Sequence, residues 1–229
     1  MTSAPSDEAA VEDLERSTER WRTVGEYDAR VAATQTNSTA RASIERCTID
    51  AIDGVEFVEF TSHEDDRGAF TEVHRATWTP ALVPAQWNLV RSRANVLRGV
   101  HCHVDHGDYL ILVDGAMLLG LHDLRADSPT CGASLLVALA PARQAVVIPP
   151  GVAHGFWFTE PSTTLYAVSH EWNPLDELGC RFDDPELELR WPHAEPLLSP
   201  RDTTAGSLSE LRAAVRAGLA ARGNAPVGS

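Results

Sequence analysis

From residue 55 onward, apolar and polar positions alternate in short runs separated by turn residues. The runs cover residues 55–60, 69–74, 86–90, 96–103, 109–113, 116–122, 134–139, 145–148, 155–158 and 164–169. Segments of this length, rich in Val, Leu, Ile and aromatic residues and bounded by Gly, Pro, Asp or Ser, predict β-strands. Ten such runs with no long helical period between them predict an antiparallel barrel or jelly roll. Val113-Asp-Gly-Ala116 reads as a hairpin turn. Two stretches follow a different period. Residues 208–221, behind a Ser207 cap, place Leu208, Leu211, Val215 and Leu219 on one helical face. Residues 7–33 carry a thinner stripe of Val11, Leu14, Trp21, Val24 and Tyr27 within a polar segment. The pattern therefore predicts a polar extension over 1–45, partly helical or loosely docked, a β domain over 46–205, and a C-terminal helix and tail over 206–229.

Composition narrows the function classes. The chain has 229 residues, 43% of them hydrophobic, enough for one sizeable core. Its net charge is −14 and it has no basic run, which argues against nucleic acid and anionic membrane surfaces as partners. No apolar stretch approaches the ~18 residues needed to span a bilayer. The start of the chain lacks a basic region followed by an apolar one, so a cytoplasmic protein is expected. All 19 basic residues are Arg. The four cysteines are widely spaced and form no Cys-x-x-Cys pair, so neither a disulfide framework nor a cysteine metal site is expected.

The chemistry concentrates in two segments, Gly99-Val-His101-Cys-His103-Val-Asp-His-Gly-Asp108 and Pro149-Pro-Gly-Val-Ala-His154. His101 and His103 alternate on a strand pattern and so share one face, with Cys102 turned to the other. His106 falls on the expected turn, exposed to solvent. Three imidazoles and a carboxylate converging inside a barrel have two uses. His101, His103, Asp108 and His154 would hold a divalent Fe, Mn, Ni or Zn ion. The same histidines would equally serve as acids and bases.

Further motifs carry a family resemblance. In order they are Asp66-Arg67-Gly68-Ala-Phe70-Thr-Glu72; Gln86-Trp-Asn88 with Ser92; Val96-Leu-Arg98-Gly-Val-His101; Asp123-Leu-Arg125 with Ser128-Pro-Thr; Ile148-Pro-Pro-Gly-Val-Ala-His154-Gly-Phe156; Asn173-Pro174 with Glu177-Leu-Gly179; Phe182-Asp-Asp-Pro185; Trp191-Pro192; and Leu198-Ser-Pro-Arg201-Asp202. Over about two thirds of its length the chain resembles the dTDP-4-dehydrorhamnose 3,5-epimerases, which are jelly-roll cupins. The resemblance implies an all-β cupin fold, a homodimer, and proton transfer beside the ketone of a dTDP-4-keto-6-deoxysugar without a cofactor. It implies His101 as base, held by Asp202, and Arg67, Glu72, Gln86, Asn88, Arg98, His154 and Arg201 as substrate-binding residues.

Two positions depart from the family pattern. Asp108 stands where the family has a Lys, and Trp172 stands where it has a proton-donating Tyr. An indole cannot supply a proton as an acid at neutral pH. Trp172 is then a pocket wall, and Tyr166 is the nearest phenol to return the proton. Single epimerisation or keto-isomerisation is therefore expected in place of the double reaction. Two alternatives stand beside it: a metal-dependent oxygenase, lyase or decarboxylase of the cupin fold, and a catalytically silent sugar-nucleotide-binding module.

Overall fold

The computed structural model describes residues 46–47, 52–79, 82–192 and 195–223. The described residues all belong to one compact unit. The helix expected over 7–33 lies outside them.

Thirteen strands and two helices are described: β1 Arg46–Cys47, β2 Glu56–Glu59, β3 Ser62–Asp65, β4 Gly68–Thr71, β5 Gln86–Ser92, β6 Val96–Cys102, β7 Asp108–Asp114, β8 Met117–Asp123, β9 Ser134–Leu139, β10 Gln144–Ile148, β11 Val152–Phe158, β12 Ser162–Val168, β13 Leu178–Gly179, α1 Pro200–Thr203 and α2 Leu208–Gly223. They form a six-stranded sheet ordered β1-β2-β10-β7-β12-β5, a five-stranded sheet ordered β13-β6-β11-β8-β9, and the separate β3–β4 hairpin. This is the expected all-β jelly roll with its C-terminal helix.

Alternation along the strands builds the layers. Leu110, Leu112, Val146 and Ile148 from one sheet meet Leu119, Leu121, Val152 and Phe158 from the other in a buried inner core. The outer face of the five-stranded sheet buries Val100, Cys102 and Ala153 under Leu208, Leu211 and Val215 of α2. A capping box starts that helix: Ser207 Oγ accepts from the Glu210 N–H at 3.3 Å, and Glu210 Oε2 accepts from the Ser207 N–H at 2.7 Å. The outer face of the six-stranded sheet buries Tyr109, Ile111 and Ala167 against Leu82, Val73 and Trp78.

Two expectations need correction. The Asp-Gly turn does not make a hairpin, because β7 and β8 belong to opposite sheets. The signal reports the positive φ of Gly115, +93°, and that conformation serves a crossing between sheets as well as a hairpin. His106 is not solvated either: it is 3% exposed, because its ring is stacked on His103 and bonded to Asp176.

One irregularity positions the site. In the β6–β11 ladder His101 faces His154 and Arg98 faces Phe156, so three steps on β6 oppose two on β11. This bulge turns both Arg98 and His101 toward the interior. Gly99 makes it feasible. Its φ is +112°, and a Cβ there would lie 2.8 Å from the His154 carbonyl oxygen and 2.9 Å from Gly155 Cα.

Candidate active site

The inner faces of the two sheets part at one end to leave a cavity of about 280 Å³. Asp108, Leu110, Thr164, Tyr166 and Val168 come from β7 and β12, whose alternate residues point inward; Arg98, His101, His154 and Phe156 come from β6 and β11. Asn88 and Val90 of β5 and Phe158 of β11 also line it, and His103, His106, Trp172, Glu177, Ser199, Arg201 and Asp202 join from loops and α1.

His101 makes a short polar contact on the wall, Nε2 to Asp202 Oδ1 at 2.6 Å. Asp202 sits in the first turn of α1, 5% exposed, where the Ser199 hydroxyl and Asp202 bond reciprocally. Burial alone would raise its carboxyl. The hydrogen bond and charge of His101, with help from Ser199 and Arg201, hold it below the usual carboxylate range. An ionised Asp202 accepting from Nε2–H leaves Nδ1 as the ring's free lone pair, which is the arrangement of an oriented general base.

A second group lies beside it. His103, Asp108 and His154 bring one ligand atom each to within 4.8 Å of one another, all three buried. His103 Nδ1 donates to the Asp176 carbonyl oxygen at 2.9 Å, and His154 Nδ1 donates to the Val152 carbonyl oxygen at 3.2 Å. Burial, then the neighbouring histidines, push His154 well below the ordinary imidazole range and His103 down to about 4, so both rings are neutral at pH 7. Asp108 has its carboxyl raised well above the ordinary range, first by burial and then by Glu177 and Asp176. The four-residue set expected from spacing therefore divides: His101 pairs with Asp202, and the other three form their own cluster.

Of the remaining expected site residues, Asn88, Arg98, Tyr166, Trp172 and Arg201 line the cavity. Burial, then Asp108 and Glu177, raise the Tyr166 hydroxyl above its ordinary value. Gln86 does not line the cavity, but it bonds Asn88 Oδ1 at 2.7 Å and holds the Trp172 N–H at 2.9 Å. Arg67 and Glu72 also lie off the cavity wall. Arg67 pairs with Asp65, and Glu72 with Arg75. The β3–β4 hairpin that carries Arg67 is exposed at every position but Thr71. Spacing did not reveal Asp176, Glu177 or Ser199. Asp176 ends a short helical turn, Glu177 follows it and Ser199 caps α1, none on a periodic pattern; the motifs Asn173-Pro174 with Glu177 and Leu198-Ser199-Pro200 were the local signals.

An imidazole held by a carboxylate on the wall of a jelly-roll cavity suits acid–base chemistry, and the class this fold and site define is an epimerase- or isomerase-like enzyme of the cupin fold. Known proteins agree. The family model described as dTDP-4-dehydrorhamnose 3,5-epimerase matches residues 50–210. The chain is similar to a dTDP-4-dehydrorhamnose 3-epimerase of Streptomyces niveus, 37% identical over 172 residues, covering 70% of this chain and 83% of that protein. Among solved structures it is similar to NovW, a 4-keto-6-deoxy sugar epimerase from the novobiocin biosynthetic gene cluster of Streptomyces spheroides, at 32% identity and TM-score 0.69, covering 81% of this chain and 96% of that one. It is also similar to ChmJ, a 3'-monoepimerase from Streptomyces bikiniensis in complex with dTDP-quinovose, at 33% identity and TM-score 0.65, covering 74% of this chain and 89% of that one. This chain belongs to the dTDP-4-dehydrorhamnose 3,5-epimerase family.

Proposed function

We propose that the protein epimerises a dTDP-4-keto-6-deoxysugar at one carbon beside the ketone, in deoxysugar or antibiotic biosynthesis. The observation that carries this reading is the His101–Asp202 pair at 2.6 Å, opening on the cavity of a chain of this family. The ketone acidifies the adjacent C–H bond. His101 Nδ1 takes that proton, and Asp202 stabilises the imidazolium that forms. The C–H electron pair becomes an enolate, and a proton delivered to the opposite face completes the inversion. The exchange balances without a redox cofactor. Arg98 and Arg201, both lining the cavity, supply fork-shaped donors for a diphosphate.

The single site of inversion follows from the acid side. The chain has three tyrosines. Tyr27 lies outside the described residues, and Tyr109 turns its hydroxyl to the Val73 carbonyl oxygen at 2.7 Å. Tyr166 is the phenol in the cavity wall, while Trp172, 59% exposed, has no acidic proton to give. One acid on one face supports one inversion, and the similarity to a 3-epimerase and a 3'-monoepimerase favours C3. In D₂O with dTDP-4-keto-6-deoxyglucose, deuterium is expected at C3 alone, read by NMR of the sugar. Deuterium at both C3 and C5 would contradict single epimerisation. Stabilisation by dTDP with no exchange at either carbon would identify a silent binding module.

The homodimer belongs to this proposal. Phe70 on the exposed hairpin and Trp87 and Leu89 on edge strand β5 are 63%, 42% and 61% exposed, an apolar surface suited to a second copy. Light scattering at micromolar concentration is expected to give twice the chain mass, and the mass of one chain would contradict it.

A further inference from the structure

We infer that His103, Asp108 and His154 form a binding site for one divalent transition-metal ion on the cavity wall, separate from the His101–Asp202 base. Three observations point to it. The ligand atoms of the three residues already lie within 4.8 Å of one another, and all three residues are more than nine-tenths buried. Both imidazoles spend their Nδ1–H on backbone carbonyls, at 2.9 and 3.2 Å, which fixes the tautomer with a bare Nε2. Metal-ligating histidines are oriented in this way, the second nitrogen being held by a carbonyl or carboxylate. Asp108, 6% exposed, receives no hydrogen bond from any described residue; His154 Nε2 lies 3.9 Å from its Oδ2, and a ring nitrogen of His103 within 4.8 Å.

The Asp108 carboxylate and both free imidazole lone pairs face the cavity, where one cation would take all three as ligands. Two ligand atoms each about 2.1 Å from one ion sit about 3.0–3.4 Å apart, so the 3.9 Å gap between Asp108 and His154 closes with a side-chain shift of about 0.5–0.9 Å. Two imidazoles and one carboxylate with the remaining positions open suit Fe(II), Zn(II), Mn(II) or Ni(II) rather than Mg(II) or Ca(II), which take oxygen ligands. A second cluster, His103, His106 and Asp176, has the right residue types but is already satisfied. The Asp176 carboxylate accepts from the Val104 and Asp105 N–H groups and from His106, whose ring stacks on His103 with centroids 4.0 Å apart. It acts as the support that aims His103.

The division removes a conflict, because His101 need not both ligate and act as a base. When bound, the ion would supply a Lewis acid beside the ketone that His101 serves. That consequence rests on the proposed epimerase reading; binding of the ion does not.

The test uses full-length protein purified without chelator or affinity histidines. Elemental analysis is expected to find about one transition-metal ion per chain. After chelation, Co²⁺ added back is expected to give visible d–d absorption saturating at one equivalent. Asp108→Asn is expected to weaken Co²⁺ binding at least about 10- to 100-fold, while His106→Gln retains the absorption band. Circular dichroism checks that both variants fold, and the wild-type spectrum stands without either. Less than about 0.1 ion per chain together with no Co²⁺ spectrum would overturn the site, as would equal Co²⁺ affinity in Asp108→Asn. No substrate is used, so failure here leaves the deuterium experiment untouched, and failure of that experiment leaves this one.

Discussion

Two buried aspartates, on strands either side of the Asp114–Gly115 turn, have opposite surroundings. Asp123 closes β8 and is 1% exposed. It accepts from the Arg125 side chain and N–H and from the Ser128 and Thr130 hydroxyls, at 2.6–3.0 Å. Burial would raise its carboxyl, but these donors together bring it down to about 2. Asp108 opens β7 and is similarly buried, yet takes no hydrogen bond from any described residue, lines the cavity and feels the nearby acids Glu177 and Asp176. The first carboxylate has every partner it needs within the fold and holds a loop in place. The second lacks partners that the fold could have supplied, and it stands in the cavity wall. A buried charge left short of partners identifies a place where something else is expected to bind.

The contrast breaks most sharply at Asp123. Asp123→Asn is expected to cost about 2 kcal/mol by denaturant unfolding, since it removes the charged acceptor shared by the half-buried Arg125 and the Ser128 and Thr130 hydroxyls. The sign of the pH dependence follows from the lowered carboxyl. Its contribution is fully present above the unfolded value of 3.8 and is lost as pH falls through about 2. Wild type is therefore expected to lose stability over that window and the Asn variant to lack this component. Equal stability of the two proteins at pH 7 would show that the network around Asp123 holds nothing.

A smaller effect of opposite sign is expected at the other aspartate. In chelator-treated protein, Asp108→Asn removes a carboxylate that has no donor and is expected to stabilise the fold by about 1 kcal/mol. A loss of stability of that size would mean that Asp108 has a structural partner after all, and the comparison would fail.

Legibility in the sequence divides along the same line. The strands of both sheets, apart from the short β1 and β13, were readable because their alternation records which face is buried. The helix α2 was readable because Ser207, Glu210 and the Leu208–Leu211–Val215 stripe agree. Spacing alone also brought His101, His103, Asp108 and His154 into one cavity. It could not sort them into a dyad and a triad, because that depends on Asp202 from α1 and on carbonyls of Asp176 and Val152. Nor could it tell a crossing turn at Gly115 from a hairpin, since both ask the same of the backbone. Arg67 and Glu72 matched family motifs yet stand on or beside an exposed hairpin, paired with Asp65 and Arg75 away from the cavity.

The central claim is that His101, oriented by Asp202, moves a proton at one carbon next to a sugar ketone. Solvent deuterium incorporation into dTDP-4-keto-6-deoxyglucose tests it directly. Wild type is expected to label one carbon, His101→Ala to lose about 10³-fold in exchange rate, and Asp202→Asn to lose about 10²-fold with the label still at the same position. Exchange at the wild-type rate in His101→Ala would contradict the account.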